Sequence, residues 1–181
     1  MTKGVNCANT LRLIREQFPT FERSLAGLPP ESRLLLSRPI VAFDQVPLAA
    51  WIPVVEWAID AVERDEAAVT AMARRWCDAD FTGVYRFFVR LGSPTFLLGR
   101  AAQVWRTYYD VGALTVSRGP DEGARQGATL SLTDFVPWPA FGSLFQGFIE
   151  QIVVLTGGHD VQVHRTSRQS GHFDYTLSYR P

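Results

Sequence analysis

The residues with the clearest potential for chemistry are His164, His172 and Asp174, near the end of the chain. Alternating apolar residues over 161–179 predict a hairpin, with its turn at 167–171. The favoured strand register places His164 opposite Asp174 and puts His172 on the same face. Two imidazoles and a carboxylate are a ligand set that holds zinc with an open water position, as in a hydrolase. The competing interpretation is a solvated sheet face with an ordinary cross-strand pair. This second interpretation is preferred, so we expect no metal.

Other catalytic signatures are missing from the sequence. No GxSxG elbow occurs, so a serine nucleophile of that type is not indicated. Gly157 and Gly158 end a predicted helix and no GK[ST] follows them, which is unlike a phosphate-binding loop. Cys7 and Cys77 are far apart and form no CxxC pair, so neither a disulfide framework nor a thiolate zinc site is expected. We therefore predict no catalytic residues and no enzyme activity.

Composition indicates an ordinary folded domain. The chain has 181 residues, of which 46% are hydrophobic, and we expect one domain over 1–181. The 18 basic residues balance the 18 acidic ones, which argues against a nucleic-acid partner because phosphate binding needs a basic surface. No apolar run reaches the roughly 20 residues that span a bilayer, and no signal core opens the chain. A cytoplasmic location is the expectation.

The hydrophobic period divides the chain into a helical half and a sheet half. Up to about residue 108 the apolar residues recur at helical spacing. Local signals mark where helices begin: Pro53, Asp65 as a cap, and Ser93 followed by Pro94. Gly112 is the stop signal, and beyond it the period changes to that of strands.

Two hairpins separated by a helix complete the predicted fold. The first hairpin covers 113–133, a helix follows the Pro137-Trp138-Pro139 sequence, and the second hairpin ends near Tyr179. In the second hairpin, opposing 163 with 175 pairs apolar residues on one face. The fold class predicted is α+β, with the helical half packed on an antiparallel sheet. The other face of the last hairpin should be polar, with Gln162, His164, Thr166, His172, Asp174 and Thr176.

Several segments resemble known sequences. Residues 83–94 (GVYRFFVRLGSP) and 105–109 (WRTYY), with the Lys3-Gly4 opening, 28–31 (LPPE) and 51–53 (WIP), are similar to a bacterial paralogous family of uncharacterised proteins. That family has the TRAPP-type ligand-binding fold, which the four-vinyl-reductase domain and haem–nitric-oxide-associated domains share. The resemblance implies a sensory or scaffolding module in signalling, one that dimerises through its helical half.

The sequence also departs from those relatives. Four-vinyl-reductase relatives often carry cysteines in the final hairpin, and this chain has none there. Haem-binding relatives supply an axial histidine from a helix. The histidines of this chain are His159, His164 and His172, all in or beside the last hairpin, so no haem and no other cofactor is expected.

Aromatic side chains concentrate in the helical half and suggest a ligand cavity. Such residues can line an apolar space between helices and sheet, with indole N–H and phenol O–H groups as polar contacts. The alternative is a solid aromatic core. Their number also suggests a surplus that a homodimer would bury. We therefore predict a non-catalytic module that dimerises and binds a small apolar molecule or a protein partner. The candidate cavity residues are Trp51, Trp57, Phe88, Phe96, Trp105 and Tyr108.

Overall fold

The computed structural model describes residues 1–82, 92–167, 169 and 171–181. It confirms the predicted α+β class, with helices first and an antiparallel sheet in the second half. Phe88 and the helix predicted over 82–91 fall almost wholly outside the described residues. Among the residues described, no helix is both long enough and apolar enough to cross a membrane.

The first half is built from helices, with one short strand pair holding the N-terminus. Strands β1 and β2 are antiparallel and pair Thr2 with Val46. A single 3-10 turn, Leu25–Gly27, joins the second and third helices. The elements are β1 (Thr2–Lys3), α1 (Gly4–Gln17), α2 (Phe21–Ser24), α3 (Pro30–Leu36), β2 (Gln45–Val46), α4 (Leu48–Asp60), α5 (Glu66–Thr82) and α6 (Pro94–Tyr108).

Two of the predicted helix starts are confirmed by their capping hydrogen bonds. The Asp65 carboxylate accepts from the Ala68 N–H at 2.7 Å, which satisfies a donor that the first turn of α5 leaves unpaired. The Ser93 hydroxyl oxygen accepts from the Phe96 N–H at 3.2 Å, and Pro94 takes the first position of α6. Both caps join residues three apart in the sequence, so they could be predicted from the sequence alone.

The predicted helix start at Pro53 is wrong. Helix α4 begins at Leu48, directly after Pro47, so Pro53 lies inside the helix. A proline there removes one backbone hydrogen bond and normally disfavours the helix. Burial of the apolar face that includes Trp51 and Val54 compensates, since tertiary packing supplies most helix stability in proteins.

The second half forms a four-stranded antiparallel sheet with a helix packed on it. The elements are β3 (Ala113–Arg118), β4 (Gln126–Thr133), α7 (Phe141–Leu155), β5 (His159–Arg165) and β6 (Phe173–Arg180). The strands follow the spatial order β3-β4-β6-β5, so the pairing of β4 with β6 joins the two predicted hairpins into one sheet. Gly112, with φ +77°, comes directly before β3, and Gly157, with φ +97°, follows α7.

The predicted register of the last hairpin is wrong by two residues. Val163 pairs with Leu177 and not with Tyr175, and His164 pairs with Thr176 and not with Asp174. A shift of two keeps every side chain on its predicted face because strand side chains alternate with a period of two. The prediction of one apolar and one polar face therefore holds although the partners differ.

The core lies where α5 and α7 cross above the inner face of the sheet. A Cβ atom at Gly147 of α7 would lie 2.3 Å from the Thr70 carbonyl oxygen of α5, so glycine permits the close approach of these helices. The Tyr175 hydroxyl of β6 donates to the Gly142 carbonyl oxygen at 2.9 Å and ties the sheet to α7. Helix α1 contacts α5, and α6 contacts β3 and β1.

Candidate functional site

A cavity of about 200 Å³ lies between the helical half and the inner face of the sheet. Its walls are mainly aromatic and aliphatic side chains, which the surrounding elements each contribute. Representative wall residues are Trp51 from α4, Trp76 from α5, Trp105 from α6, Leu130 from β4 and Phe145 from α7. A site of this composition favours apolar molecules.

Three of the predicted cavity residues lie in this wall: Trp51, Trp105 and Tyr108. Trp105 is buried, and its indole N–H donates to the carbonyl oxygens of Val111 at 3.0 Å and Gly112 at 3.2 Å. These bonds fix the ring against the turn that leads into β3. The side chain therefore joins helix, turn and cavity wall.

Trp57 does not line the cavity. It packs edge-on against the rings of Phe18 and Phe21, with ring centres 5.8 and 4.9 Å away. Helical periodicity alone could not separate it from Trp51, because both residues face the core side of α4 at different positions along the helix.

Phe96 also lies away from the cavity wall. Its side chain is 51% exposed, and the Arg100 guanidinium carbon lies 5.5 Å from the centre of its ring. Phe88 lies outside the described residues.

Polar side chains enter the cavity wall from a limited set of elements. Thr2 from β1, Asn6 and Thr10 from α1, and Asp80 from α5 all line it. Asn6 and Thr10 are four residues apart and so share one face of α1. Thr2 also forms an isolated antiparallel β-bridge with Tyr109, the residue directly after α6. The meeting of α1, α5 and the end of α6 gives the cavity a polar end.

Asp80 is the acidic group at this polar end. Its exposed fraction is only 8%, and burial raises its pKa from 3.8 to about 7, while the Asn9 hydrogen bond and the Arg12 charge pull it down. The Asn9 amide donates to Oδ1 of Asp80 at 2.9 Å. Asp80 therefore changes charge near neutral pH, which an ordinary surface aspartate does not do.

Two groups that interact with Asp80, the Cys7 thiol and the Tyr109 phenol, stay neutral at that pH. Burial, with a smaller effect of the Asp80 charge, raises the pKa of the Cys7 thiol. Burial likewise raises the pKa of the Tyr109 hydroxyl, with Cys7 and Asp80 adding to the shift. A low-dielectric pocket around one carboxyl group explains these shifts together.

Trp76 contributes an unused donor next to this carboxyl group. It lies one turn before Asp80 on the same face of α5, and both line the cavity. Its buried indole N–H has no hydrogen-bond partner within the described part of the chain. By contrast, Trp138 donates its N–H to Glu56. An unpaired buried donor is uncommon and marks a place where a ligand atom or a water would be stabilised.

The periodicity of α5 contains a sequence signal for Asp80. Val69, Met72 and Trp76 form an apolar stripe on α5, and Asp80 continues that stripe. An acidic residue on a buried helix face needs a partner or a function. Its proximity to Asn9 and Tyr109 could not be read from the sequence, since it depends on tertiary packing.

The candidate cluster on the last hairpin is assembled only in part. His172 Nε2 lies 2.8 Å from Asp174 Oδ2, whereas His164 is opposite Thr176. Burial pushes the Asp174 pKa upward, but hydrogen bonds from Ser131 and His172 outweigh it and hold that pKa below the ordinary value. No group of three potential metal ligands occurs in the described residues. None of the three histidines of the chain belongs to the cavity wall.

Comparison with known proteins identifies the fold. No protein-family model matches the sequence, and no match is found among curated proteins. Solved structures do match over almost the whole chain. A mutant H-NOX protein from S. oneidensis in the Fe(II) ligation state is 10% identical with a TM-score of 0.74, covering 99% of this chain and 96% of that one.

Two further H-NOX structures give the same result. The Fe(II) unliganded H-NOX protein from K. algicida is 8% identical with a TM-score of 0.68, covering 99% of this chain and 97% of that one. An oxygen-binding H-NOX domain related to soluble guanylate cyclases, solved as an oxygen complex, is 10% identical with a TM-score of 0.68, covering 98% and 94%. The chain therefore has the fold of the haem–nitric-oxide-associated group.

Proposed function

We propose that this chain is a non-catalytic sensory module that binds a small apolar molecule in the cavity between its helices and sheet. The observation that carries the proposal is the cavity itself, about 200 Å³ with mostly apolar walls. An engineered apolar cavity of about 150 Å³ stays dry and binds benzene or xenon, so this space suits a molecule of one ring. The fold neighbours include an oxygen-binding domain and a nitric-oxide complex, which supports a ligand-sensing use of the fold.

Haem does not fit the residues of this cavity, although the fold neighbours include proteins in which haem redox potential and haem distortion were studied. His159 and His164 belong to strand β5 and are exposed, and His172 is held by Asp174. The cavity is also smaller than the roughly 300–1,000 Å³ pockets that hold drug-sized ligands, and haem is at least as large as such ligands. The proposal is therefore independent of haem.

The finer assignment rests on the sequence resemblance. The proposal includes membership of the bacterial paralogous family with the TRAPP-type, four-vinyl-reductase-like fold, a single domain over 1–181, and a cytoplasmic location. It also includes a homodimer formed through the helical half, since relatives of this fold pair in that way. The candidate ligand residues that support it are Trp51, Trp105 and Tyr108, because the cavity wall contains all three.

Native mass spectrometry and a titration together test this function. Native spectra of the purified protein report any retained small molecule. Calorimetric titrations with toluene and with benzyl alcohol measure whether a molecule with one ring binds in the cavity. Ala101→Leu adds volume inside the cavity wall and should abolish binding, whereas Ala102→Leu, on the same helix but outside that wall, should not. If neither probe binds and no molecule is retained, the aromatic residues form a core without a ligand function.

A further inference from the structure

Asp80 is a buried carboxyl group that has no cationic partner among the residues described. Within the described residues it accepts a side-chain hydrogen bond from Asn9 and forms no ion pair. Arg12, the cation that acts on it from α1, is bonded to Glu16 at 2.7 Å and is more than half exposed. Buried acids are normally paired, because desolvating a charge without compensation is costly. Within the part of the chain that the structure describes, the ionised form of Asp80 therefore has no counter-ion.

We propose that Asp80 is the recognition group for a small amine, a ligand with one ammonium group and a ring or short hydrocarbon body. This inference rests on the proposed function, because it specifies what the same cavity binds. The hydrocarbon body occupies the apolar part of the cavity, and the ammonium group lies at the polar end beside α1 and α5. Asn9 donates to Oδ1 of Asp80, which leaves Oδ2 for the ligand. The ammonium group supplies the missing counter-ion, and the aromatic walls attract a cation through their ring faces.

The charge of Asp80 should control this binding near neutral pH. Its pKa of about 7 reflects burial, and an ammonium ion binds the ionised form. Among the described residues, the ionisable groups that act on it are Cys7 and Arg12 from α1, Cys77 from α5 itself, and Tyr109 after α6. Burial raises the pKa values of both thiols and of the phenol, so these three groups stay neutral. Asp80 is thus the group in this set that titrates between slightly acid and slightly alkaline pH.

The test compares benzylamine with benzyl alcohol, which have nearly the same shape and differ in charge. At about pH 8, where Asp80 is mostly ionised, benzylamine should bind the unmodified protein about tenfold more tightly than the alcohol. Lowering the pH to about 5.5 should weaken benzylamine binding by roughly 10- to 30-fold, because the ionised fraction falls by about that factor. Binding of the alcohol should stay within about threefold over the same range.

Two variants at neighbouring positions make the test specific. Asp80→Asn keeps the shape and an oxygen that accepts from Asn9, and it should remove both the amine preference and its pH dependence. Asp78→Asn is the matched control, since Asp78 lies on the same helix, outside the cavity wall, bonded to Gln151 at 2.6 Å. This control should keep the preference.

The outcomes separate the inference from the proposed function. Equal binding of amine and alcohol by the unmodified protein would overturn the amine assignment and leave the apolar ligand site intact. A preference that persists in Asp80→Asn would also overturn it. Binding of neither probe would overturn both proposals. The comparison of the two probes and the pH series use the unmodified protein, so the inference is tested even if Asp80→Asn does not fold.

Discussion

Replacing Asp80 by asparagine should stabilise the ligand-free protein at alkaline pH. The folded state raises the Asp80 pKa from 3.8 to about 7 because the carboxyl group is buried. In that case the unfolded chain releases the proton first, so the free energy of unfolding falls as pH rises between these two values. Below the lower value both states are protonated and the penalty is absent. Above the higher value it is fully present.

The size of the effect follows from the shift. Each pKa unit corresponds to about 1.4 kcal/mol, so a shift of this size sets an upper limit of about 4 kcal/mol. Relaxation around the ionised group reduces that limit, and we expect Asp80→Asn to gain about 2–4 kcal/mol at about pH 8. At about pH 4 the asparagine resembles the protonated acid, and the variant should match the unmodified protein within about 0.5 kcal/mol.

Urea melts at both pH values measure the two free energies of unfolding. Asp78→Asn is again the control, and it should show no gain at the higher pH. A variant Asp80→Asn that is less stable than the unmodified protein at about pH 8 would refute the reasoning. That result would mean that Asn9 and Arg12 stabilise the carboxylate more than burial destabilises it.

Other predictions concern packing, metal and assembly. Trp105→Ala should cost about 3–5 kcal/mol in denaturant melts, because it empties a buried aromatic site, whereas the half-exposed Phe96→Ala on the same helix should cost under about 1 kcal/mol. Equal losses of unfolding free energy in the two variants would mean that the assignment of the buried face of α6 is wrong. Elemental analysis should find no stoichiometric zinc, and zinc that disappears in His164→Ala would contradict this. Light scattering at micromolar concentration should give twice the 20.3 kDa chain mass, and a mass near 20.3 kDa at every concentration would exclude the dimer.

The ends of helices and strands could be predicted where a single capping residue or glycine determines them. Asp65 and Ser93 cap their helices through hydrogen bonds to nearby N–H groups, and Gly112 has the positive φ that glycine allows. The start at Pro53 was wrong because burial of the α4 face outweighs the local preference of proline. Tertiary packing of this kind cannot be read from one segment.

The last hairpin shows a second limit of pattern-based prediction. Alternation identifies which face of a strand is buried, but it is unchanged by a shift of two residues. Alternation alone therefore could not predict that Val163 pairs with Leu177. The metal hypothesis depended on the register that failed, since it needed His164 opposite Asp174.

The candidate site also divides into features that a local pattern predicts and features that only tertiary packing determines. Sequence periodicity indicated aromatic residues on inward helix faces, and Trp51, Trp105 and Tyr108 do line the cavity. It could not separate these from Trp57, which faces inward elsewhere along α4. Periodicity places Asp80 on the buried stripe of α5, but it could not show the polar end of the cavity, which exists only where α1, α5 and the end of α6 meet.

The two measurements on Asp80 together distinguish a ligand-binding charge from a structural one. If the Asp80 carboxylate holds the fold together, Asp80→Asn should lower the free energy of unfolding of the protein, whatever its effect on binding. If the fold keeps this carboxylate desolvated for a ligand, the same variant should raise the free energy of unfolding and remove the preference for the amine. Opposite signs in stability and binding are therefore the result expected here. The gain should also shrink when benzylamine is present, because the amine binds the protein that retains the acid more tightly and so stabilises it more than the variant.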